Sequence, residues 1–336
     1  MTVKSQVLVL LENSKNAALS GEYMAEQIGC TRAAVWKAIK SLQEEGYVIS
    51  GVKNRGYTLS KSGDKLSEGC IRKQLDEKGI TIPIICEKTT DSTNTQLKRM
   101  VAEGEKRDLC LISEAQTGGR GRHGRSFYSP DDTGIYFSFL LHPNVSAMEA
   151  TFLTTMAAVA EAKAIDDLNC TDGYETQIKW VNDLLVRNKK ITGILTESSI
   201  SMEDYSLEYV IVGIGINLYE PAGGFPADIK DTAGAIVTGN SPTENLKNNI
   251  VAKTIINFMN YYKDFPKRSY MEDYRRKCFV LGKPITLLNS DHSERIDARG
   301  HSRGVAIDVA DDGRLLVEYP DGIREYISSG EISVRI

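Results

Sequence analysis

The sequence predicts an α+β protein of several domains, with a winged helix-turn-helix at the start and a small β-barrel at the end. Three observations predict this class. The chain has 336 residues, 41% hydrophobic and 26% charged, which is enough for two or three separate cores. The first sixty residues show helical periodicity followed by a hairpin pattern. The tail carries short strands separated by turns at intervals of roughly ten residues.

The N-terminal helices are indicated by their capping residues. Ser20 and Gly29 bound a short helix, and Thr31 is placed to cap the next one. In that second helix the apolar residues recur at i, i+3, i+4 and i+7, which predicts a core-facing stripe. The stripe consists of Val35, Ala38, Ile39 and Leu42.

The opposite face of this helix and the hairpin after it are basic, as in a DNA-binding winged helix. Residues 1–63 hold eight Lys and Arg against five Glu, a net +3 in a chain of net −4, so the remainder is −7. A structural helical unit with a solvated charged face is the alternative. The predicted DNA-contacting residues are Thr31, Arg32, Trp36, Lys37, Lys40, Lys53 and Arg55.

Residues 118–125, GGRGRHGR, contain three glycines spaced as in the dinucleotide-binding fingerprint. That fingerprint follows a strand, opens a helix and has an acidic residue about 20 positions on. A strand is predicted at 109–113, but turn-forming residues follow the loop, and position 144 is Asn144. The sequence therefore argues against a nicotinamide-cofactor loop.

The same loop is well suited to binding an anion. Glycines let the backbone approach a ligand, and Arg120, Arg122 and Arg125 offer forked donors that match phosphate or carboxylate oxygens. We expect the loop to be mobile without an anion, because three cations so close together repel one another. A solvated basic turn is the alternative.

A second group of polar residues follows in two hairpins. Lys179, Asn182 and Asp183 lie at a sharp turn between predicted strands, and Lys190 follows the next turn. A carboxylate between two lysines can hold Mg²⁺ beside a phosphate, although such a turn is more often structural. The strand ending at Asn217 is broken by two glycines and is predicted to pass close to a ligand. Residues 91–94 are predicted to form a polar turn that suits a neutral head group.

Taken together, these motifs resemble the bifunctional biotin–protein ligase and biotin-operon repressor family. They occur in the family's order across essentially the whole chain. The matching stretches are DSTN (91–94), QTGGRGRHGR (116–125) with Ser129-Pro130, KWVND (179–183), KITGIL (190–195), GIGIN (213–217) and GEIS (330–333).

The resemblance implies an enzyme that joins biotin to ATP as biotinyl-5′-AMP and transfers biotin to a lysine of a biotin carboxyl carrier protein. It implies biotin, ATP and Mg²⁺ as ligands. The expected biotin-binding residues are Ser92, Thr93, Asn94, Gln116, Gly119, Arg120, Gly121, Arg122, Lys190 and Gly193. The expected nucleotide-binding residues are Arg122, Lys179, Asn182, Asn217 and Glu331. The expected catalytic residues are Lys190, Arg120, Arg122, Lys179 and Asp183, with Asp183 also the expected Mg²⁺ ligand.

The resemblance also implies a domain plan and partners. Residues 1–63 would be the DNA-binding domain, 64–275 a mixed-sheet α/β catalytic domain, and 276–336 an SH3-like barrel, for which a stabilising cap is the alternative. Biotinyl-5′-AMP would act as corepressor and favour a homodimer on operator DNA. Two other functions stay open: a non-enzymatic sensor with a decayed site, and a lipoate or octanoate ligase.

Two site residues depart from the family pattern, and so does the recognition helix. Val181 replaces a usual proline, which is expected to loosen the turn at Asn182, and Phe127 replaces a usual tryptophan. Trp36 on the recognition helix means that no operator sequence can be transferred from relatives.

Composition excludes several other classes. The chain has no apolar run of about 18 residues and no signal-peptide pattern. Its six cysteines form no C-x-x-C pair and its four histidines are dispersed, so neither a zinc site nor a disulfide framework is indicated. A reducing cytoplasm is the expected location.

Overall fold

The structure is a computed structural model. It describes residues 2–14, 17–44, 47, 49–52, 55–59, 64–201, 203, 206–239, 245–289, 293–297, 300–328 and 331–334. The chain forms two compact units, the first made of residues 1–81 and 240–252 and the second of residues 82–239 and 253–336. Among the described residues, no helix is long and apolar enough to cross a bilayer.

Unit 1 contains the predicted winged helix-turn-helix. Three helices precede an antiparallel hairpin, and a fourth helix follows it. Leu19 extends the hairpin by pairing with Tyr57. The elements are α1 (Val3–Asn13), α2 (Gly21–Ile28), α3 (Arg32–Glu44), β1 (Ile49–Val52), β2 (Gly56–Leu59) and α4 (Glu68–Glu77).

The predicted caps of unit 1 are confirmed. The Ser20 hydroxyl accepts a hydrogen bond from the Tyr23 backbone N–H at 3.0 Å, and α2 ends at Gly29 with φ of 72°. The Thr31 hydroxyl accepts from the Ala34 N–H at 3.2 Å. The predicted stripe of α3 is buried, together with residues of α1, α2 and the hairpin. Local capping and one apolar face therefore suffice to shape this unit.

Unit 2 is built on a seven-stranded mixed sheet in the order β3-β4-β5-β9-β8-β7-β6, in which only β3 and β4 are parallel. Its strands are β3 (Ile84–Thr90), β4 (Leu109–Gln116), β5 (Gly134–Leu141), β6 (Gln177–Lys179), β7 (Asp183–Val186), β8 (Lys189–Ile200) and β9 (Leu207–Asn217). The remaining helices are α5 (Thr93–Ala102), α6 (Ala147–Ala150), α7 (Phe152–Asp167), α8 (Leu246–Lys263) and α9 (Met271–Lys277).

The interior strand β5 is buried along its whole length, because the sheet is covered on both faces. On one face Leu97 of α5 packs against Leu140 and Ile211. On the other, Phe139 stacks on Phe258 of α8, with ring centroids 4.3 Å apart. Since side chains alternate along a strand, register alone decides which residues share the α5 face.

The tail of unit 2 forms an antiparallel sheet in the order β13-β12-β11-β10-β14. Among the described residues β13 and β14 do not pair, so no closed barrel is present, and the SH3-like barrel stays a prediction. The Trp180 indole N–H donates to the Gly313 carbonyl at 2.8 Å, which ties this sheet to the central one. The strands are β10 (Pro284–Leu288), β11 (Arg303–Val309), β12 (Leu315–Glu318), β13 (Arg324–Ile327) and β14 (Glu331–Val334).

A carboxyl group lies fully buried inside unit 2. Glu161 of α7 accepts one hydrogen bond from the Thr254 hydroxyl at 2.7 Å, while its other oxygen has no hydrogen-bond partner among the described residues. Burial raises the pKa of Glu161 to about 8, and the Thr254 hydrogen bond offsets only part of that rise. The folded protein therefore keeps this group protonated at neutral pH.

We predict that Glu161 makes the protein less stable as the pH rises. Between the ordinary pKa of 4.5 and the raised value of about 8, only the unfolded chain releases the proton. The stabilisation that protonated Glu161 gives the folded state is complete below pH 4.5. It is lost as the pH rises to about 8, by up to about 1.4 kcal/mol per pH unit. Denaturant unfolding across this range should show a flatter dependence for Glu161→Gln. The exposed Glu208→Gln should keep the wild-type slope, and an unchanged slope for Glu161→Gln would contradict the prediction.

Candidate active site

A cavity of about 800 Å³ lies on the α5 face of the central sheet, within unit 2. Its volume falls in the range of pockets that enclose small-molecule ligands. Of the predicted ligand-binding residues, Gly119 is not among those that line it, and the side chain of Glu331 lies outside the described residues. Those that line it are Ser92, Thr93, Asn94, Gln116, Arg120, Gly121, Arg122, Lys179, Asn182, Asp183, Lys190, Gly193 and Asn217.

Three glycines open this face of the sheet. Gly193 pairs with Gly215, and Gly213 lies two residues earlier on β9, so all three share one face. A Cβ atom on Gly215 would lie 2.7 Å from the Phe127 ring, and one on Gly213 would lie 2.2 Å from Asn94 Oδ1. Two side chains that line the cavity thus lie against these glycines, and the approach of the strand to a ligand stays a prediction.

One end of the cavity is a buried polar network. Gln116 Oε1 accepts from the Thr93 backbone N–H at 2.8 Å, and Gln116 Nε2 donates to Ser129 Oγ at 3.1 Å. Ser138 Oγ lies 2.6 Å from both Thr93 Oγ1 and Asn94 Oδ1. These groups leave little freedom for the side chains that face the cavity, as specific recognition of a polar head group requires.

The predicted polar turn at residues 91–94 is wrong in one respect. Only Asp91 and Ser92 precede a helix, and Thr93 and Asn94 begin it. Ser92 is its N-cap, with its hydroxyl 3.5 Å from the Thr95 N–H. An Asp-Ser-Thr-Asn run is typical of both turns and helix starts, so local composition does not separate the two.

The arginine loop folds back on itself as a tight hairpin. The Gly121 N–H donates to the Arg125 carbonyl at 2.7 Å, and the Phe127 N–H donates to the Gly119 carbonyl at 2.9 Å. A Cβ on Gly119 would lie 2.5 Å from the Phe127 carbonyl oxygen, so glycine is needed for closure rather than for ligand contact. Arg122 Nη1 donates to Asn182 Oδ1 at 3.0 Å and thereby reaches across the cavity.

The opposite end of the cavity carries the lysines. Lys190 Nζ lies 2.7 Å from Asp183 Oδ1, and the Asn217 amide approaches the Lys190 carbonyl at 3.5 Å. Lys190 is held by its backbone, since its N–H donates to the Thr232 carbonyl at 2.7 Å. Lys179 lines the same region. This end therefore carries two ammonium groups that can contact a polyphosphate. Three carboxylates line the same cavity, those of Asp183, Asp228 and Asp231.

The turn that presents Asn182 and Asp183 is firmly held. The Tyr274 hydroxyl donates to the Val181 carbonyl at 3.0 Å. Asn182 Nδ2 donates to the Ile194 carbonyl at 2.8 Å. The expectation that Val181 loosens this turn stays a prediction, and these tertiary contacts oppose such loosening.

The residues suit a Mg²⁺ ion only in part. Mg²⁺ is usually held by one or two carboxylates together with substrate phosphates. Asp183 offers one carboxylate beside the lysines, but one of its oxygens already faces Lys190. Asp183 is therefore suited to share an ion with a bound polyphosphate and is not part of an all-protein cage.

Sequence reasoning missed several lining residues. One group belongs to the loop between β9 and α8, which is tied to Lys190 through backbone hydrogen bonds. Phe279 and Ile332 come from the tail of the chain. The loop residues and Phe279 have no local pattern, so no sequence signal marks them, whereas Ile332 lies within the GEIS stretch at 330–333. The missed loop residues are Asp228, Ile229, Asp231, Thr232 and Ala233.

The predicted DNA-binding residues lie in unit 1. Along α3 the basic side chains are exposed, and Trp36 is 52% exposed with the Lys40 ammonium 5.9 Å from its ring centroid. Arg55 is exposed beside the hairpin, and Lys53 lies outside the described residues. The predicted residues of α3 thus lie on an exposed and basic face, and their contact with DNA stays a prediction. Exposed along α3 or at its cap are Thr31, Arg32, Trp36, Lys37 and Lys40.

Three family models match the chain. The Biotin/lipoate A/B protein ligase family matches residues 86–217, which include most of the cavity-lining residues. An HTH domain model matches residues 3–58. The Biotin protein ligase C terminal domain matches residues 296–335.

Curated relatives match almost the whole chain. The bifunctional ligase/repressor BirA of Bacillus subtilis (strain 168) is 30% identical over 336 residues, covering 98% of each chain. The protein of the same name from Escherichia coli (strain K12) is 28% identical and covers 99% of this chain and 98% of its own. A solved biotin protein ligase from Aquifex aeolicus, in complex with biotin and ATP, is 27% identical with a TM-score of 0.59, covering 75% of this chain and 98% of its own.

Proposed function

This chain belongs to the bifunctional biotin–protein ligase and repressor family, and we propose that it activates biotin with ATP, transfers it to a carrier protein and represses transcription. The observation that carries the enzymatic part is a single cavity with a neutral polar network at one end and lysines at the other. That arrangement matches biotinyl-5′-AMP, which has a neutral ureido ring and a charged phosphate.

In the first half-reaction a biotin carboxylate oxygen attacks the α-phosphorus of ATP, and pyrophosphate leaves. Thr93, Asn94 and Gln116 bind the ureido end, and Ser92 supports them by capping the helix. Arg122 and Lys190 neutralise the negative charge on the carboxylate and phosphate as the two anions approach. No protein nucleophile is required, so positioning and charge neutralisation supply the catalysis.

In the second half-reaction a lysine amine of the carrier protein attacks the acyl carbon, and AMP leaves with the bridging oxygen. Lys190 stabilises the oxygens on which charge develops, and Arg120 holds the loop over the adenylate. Asn217 and Asn182, which line the cavity, bind the nucleotide. Glu331 of β14 also binds the nucleotide in this proposal. Closure of Gly119 and Gly121 over the ligand keeps water from hydrolysing the anhydride.

Magnesium, when bound with ATP, would neutralise the polyphosphate. Asp183 is the residue suited to hold it, and Lys179 faces the remaining phosphate charge. In this proposal residues 1–63 bind DNA, 64–275 form the catalytic domain, and 276–336 form an SH3-like domain. The cytoplasmic location belongs to the same proposal, because reduced cysteines fit it.

The repressor part of the proposal rests on the basic α3 face. We propose that biotinyl-5′-AMP acts as corepressor and favours a homodimer, because helix-turn-helix dimers read two half-sites of a palindrome. Sedimentation of the protein with and without biotin and ATP would measure whether ligand binding favours the dimer.

The ligase function is tested by incubating the protein with ATP, Mg²⁺ and labelled biotin together with a carrier domain. We expect label on one carrier lysine, and a carrier with that lysine changed to arginine should stay unlabelled. Transfer of lipoate in place of biotin would overturn the assignment. Release of biotinyl-5′-AMP without transfer would limit the function to activation and sensing.

We predict that the exposed cations of α3 bind DNA phosphates. Lys37→Ala should weaken binding to the operator about three- to tenfold. It should also reduce the slope of the logarithm of the binding constant against the logarithm of the salt concentration by about one. Fluorescence anisotropy at several salt concentrations measures both quantities. Lys88→Ala, an exposed lysine of unit 2, is the matched control. Equal affinities for Lys37→Ala and wild type would remove this face from the interface.

A further inference from the structure

Glu197 occupies a junction that the sequence-based reasoning did not assign. It lies on β8, on the same face of the sheet as Gly193, and its side chain is 19% exposed. Three groups converge on its two oxygens. Asn94 Nδ2 donates at 2.9 Å, Lys98 Nζ at 2.7 Å, and Arg120 Nη1 lies at 3.1 Å.

These contacts place Glu197 between the head-group end of the cavity and the arginine loop. Asn94 belongs to the proposed ureido site, and both hydrogens of its amide have acceptors, Glu197 and the Leu195 carbonyl. Its oxygen accepts from Ser138. The orientation of the Asn94 amide therefore depends on Glu197 as an acceptor.

The network continues from Asn94 back to the far end of the loop. Ser138 contacts Thr93, and Thr93 donates to Gln116. Gln116 in turn donates to Ser129 at 3.1 Å, and the Ser129 hydroxyl donates to the Phe127 carbonyl at 2.9 Å. The chain of hydrogen bonds that starts at one end of the arginine loop thus returns to its other end.

Electrostatics explain why a carboxylate is needed at this junction. Burial alone would raise the pKa of Glu197, but hydrogen bonds from Lys98 and Asn94 outweigh burial and hold the pKa below its ordinary value. The group is therefore ionised at neutral pH. Glu197 is one negative charge between two cations, and the Lys98 and Arg120 side chains both lie within ion-pair distance of it.

We infer that Glu197 is a positioning residue that couples occupancy of the head-group site at Asn94 to docking of the arginine loop through Arg120. This inference rests on the proposed ligase function. A ligand that binds the Asn94 amide favours the arrangement in which Glu197 holds Arg120, and a docked loop in turn favours the ligand. Glu197 contacts no reacting atom and acts through these two residues.

The variant Glu197→Gln tests this inference, because glutamine keeps an acceptor for Asn94 and loses the charge that attracts Arg120. Trypsin cleavage after Arg122 in the unliganded protein, followed by mass spectrometry, reports loop docking directly. We expect cleavage about fivefold faster than in wild type, as loss of a partly exposed ion pair implies. Cleavage after Arg107, an exposed site elsewhere, should not change.

Kinetics supply the second readout, measured as biotin-dependent exchange of pyrophosphate into ATP. Glu197→Gln should raise KM for biotin about fivefold with a smaller change in kcat, because loop docking contributes to binding. Glu208→Gln, an exposed carboxylate on the neighbouring strand, is the matched control and should behave as wild type. Arg120→Gln should reproduce the effect, and the double variant should add nothing further.

Each outcome decides a different question. A folded Glu197→Gln variant with the wild-type rate of cleavage after Arg122 and the wild-type KM for biotin would overturn the inference. If Glu197→Gln fails to fold, Arg120→Gln alone still tests it, since unchanged cleavage after Arg122 in that variant would contradict the docking role. Wild-type protein that exchanges no pyrophosphate with biotin would overturn the proposed function, while the cleavage comparison would still report on the loop.

Discussion

Replacing Lys190 with alanine is expected to lower the biotin-dependent exchange of pyrophosphate into ATP about 100- to 1000-fold, the loss typical of removing one preorganised charge-stabilising group. The Lys190 ammonium lies at the end of the cavity that carries the lysines, 2.7 Å from Asp183, and its backbone is fixed by the loop at Thr232. The charge is thus already in place before the carboxylate and phosphate meet. The loss should appear mainly in kcat, because the charge it stabilises develops during the reaction.

The fold should survive this change. The Lys190 side chain is 36% exposed and belongs to no apolar core, so the free energy of unfolding should shift by less than about 1 kcal/mol. Lys88→Ala removes an exposed lysine of the same unit and should leave exchange unchanged. Exchange by Lys190→Ala within a few-fold of wild type would remove Lys190 from the mechanism.

Gly213→Ala is expected to weaken the binding of biotin about 100-fold, as the loss of two to three buried hydrogen bonds implies. The new Cβ would lie 2.2 Å from Asn94 Oδ1, a distance that no relaxed side chain tolerates. Asn94 would have to leave its position between Ser138 and Glu197, and the proposed ureido site would lose its oriented amide.

Stability should fall as well, by about 1–3 kcal/mol, because an added methyl group in a packed region forces its neighbours to shift. Isothermal titration with biotin and denaturant unfolding separate the two effects. Gly223→Ala is the control, since a Cβ there would meet no atom within 4 Å. Wild-type biotin affinity for Gly213→Ala would show that Asn94 does not bind the head group.

The winged helix-turn-helix illustrates what local sequence can predict. Ser20, Gly29 and Thr31 mark helix ends through bonds to neighbours a few residues away, so sequence spacing alone locates them. The prediction that the arginine loop binds an anion likewise rests on its residue types alone. The sequence argued against a dinucleotide-binding loop here. The structure agrees, because the strand β5 and not a long helix follows the loop.

The start of α5 illustrates the limit. Residues 91–94 have a composition that suits both a turn and a helix start, and the packing of Leu97 against the sheet favours the helix. Whether strands in the tail close into a barrel is equally invisible to local pattern, because closure depends on which edges meet.

By itself, the sequence determined which residue types the site would contain and where the helices of the winged helix-turn-helix would end, because caps, periodicity and motif spacing act over a few residues. Only the tertiary structure decided which of those residues meet. Glu197, Ser138 and the loop at Thr232 join the site through sheet register and loop packing. Such contacts link positions far apart in the chain, and no short stretch of sequence encodes them.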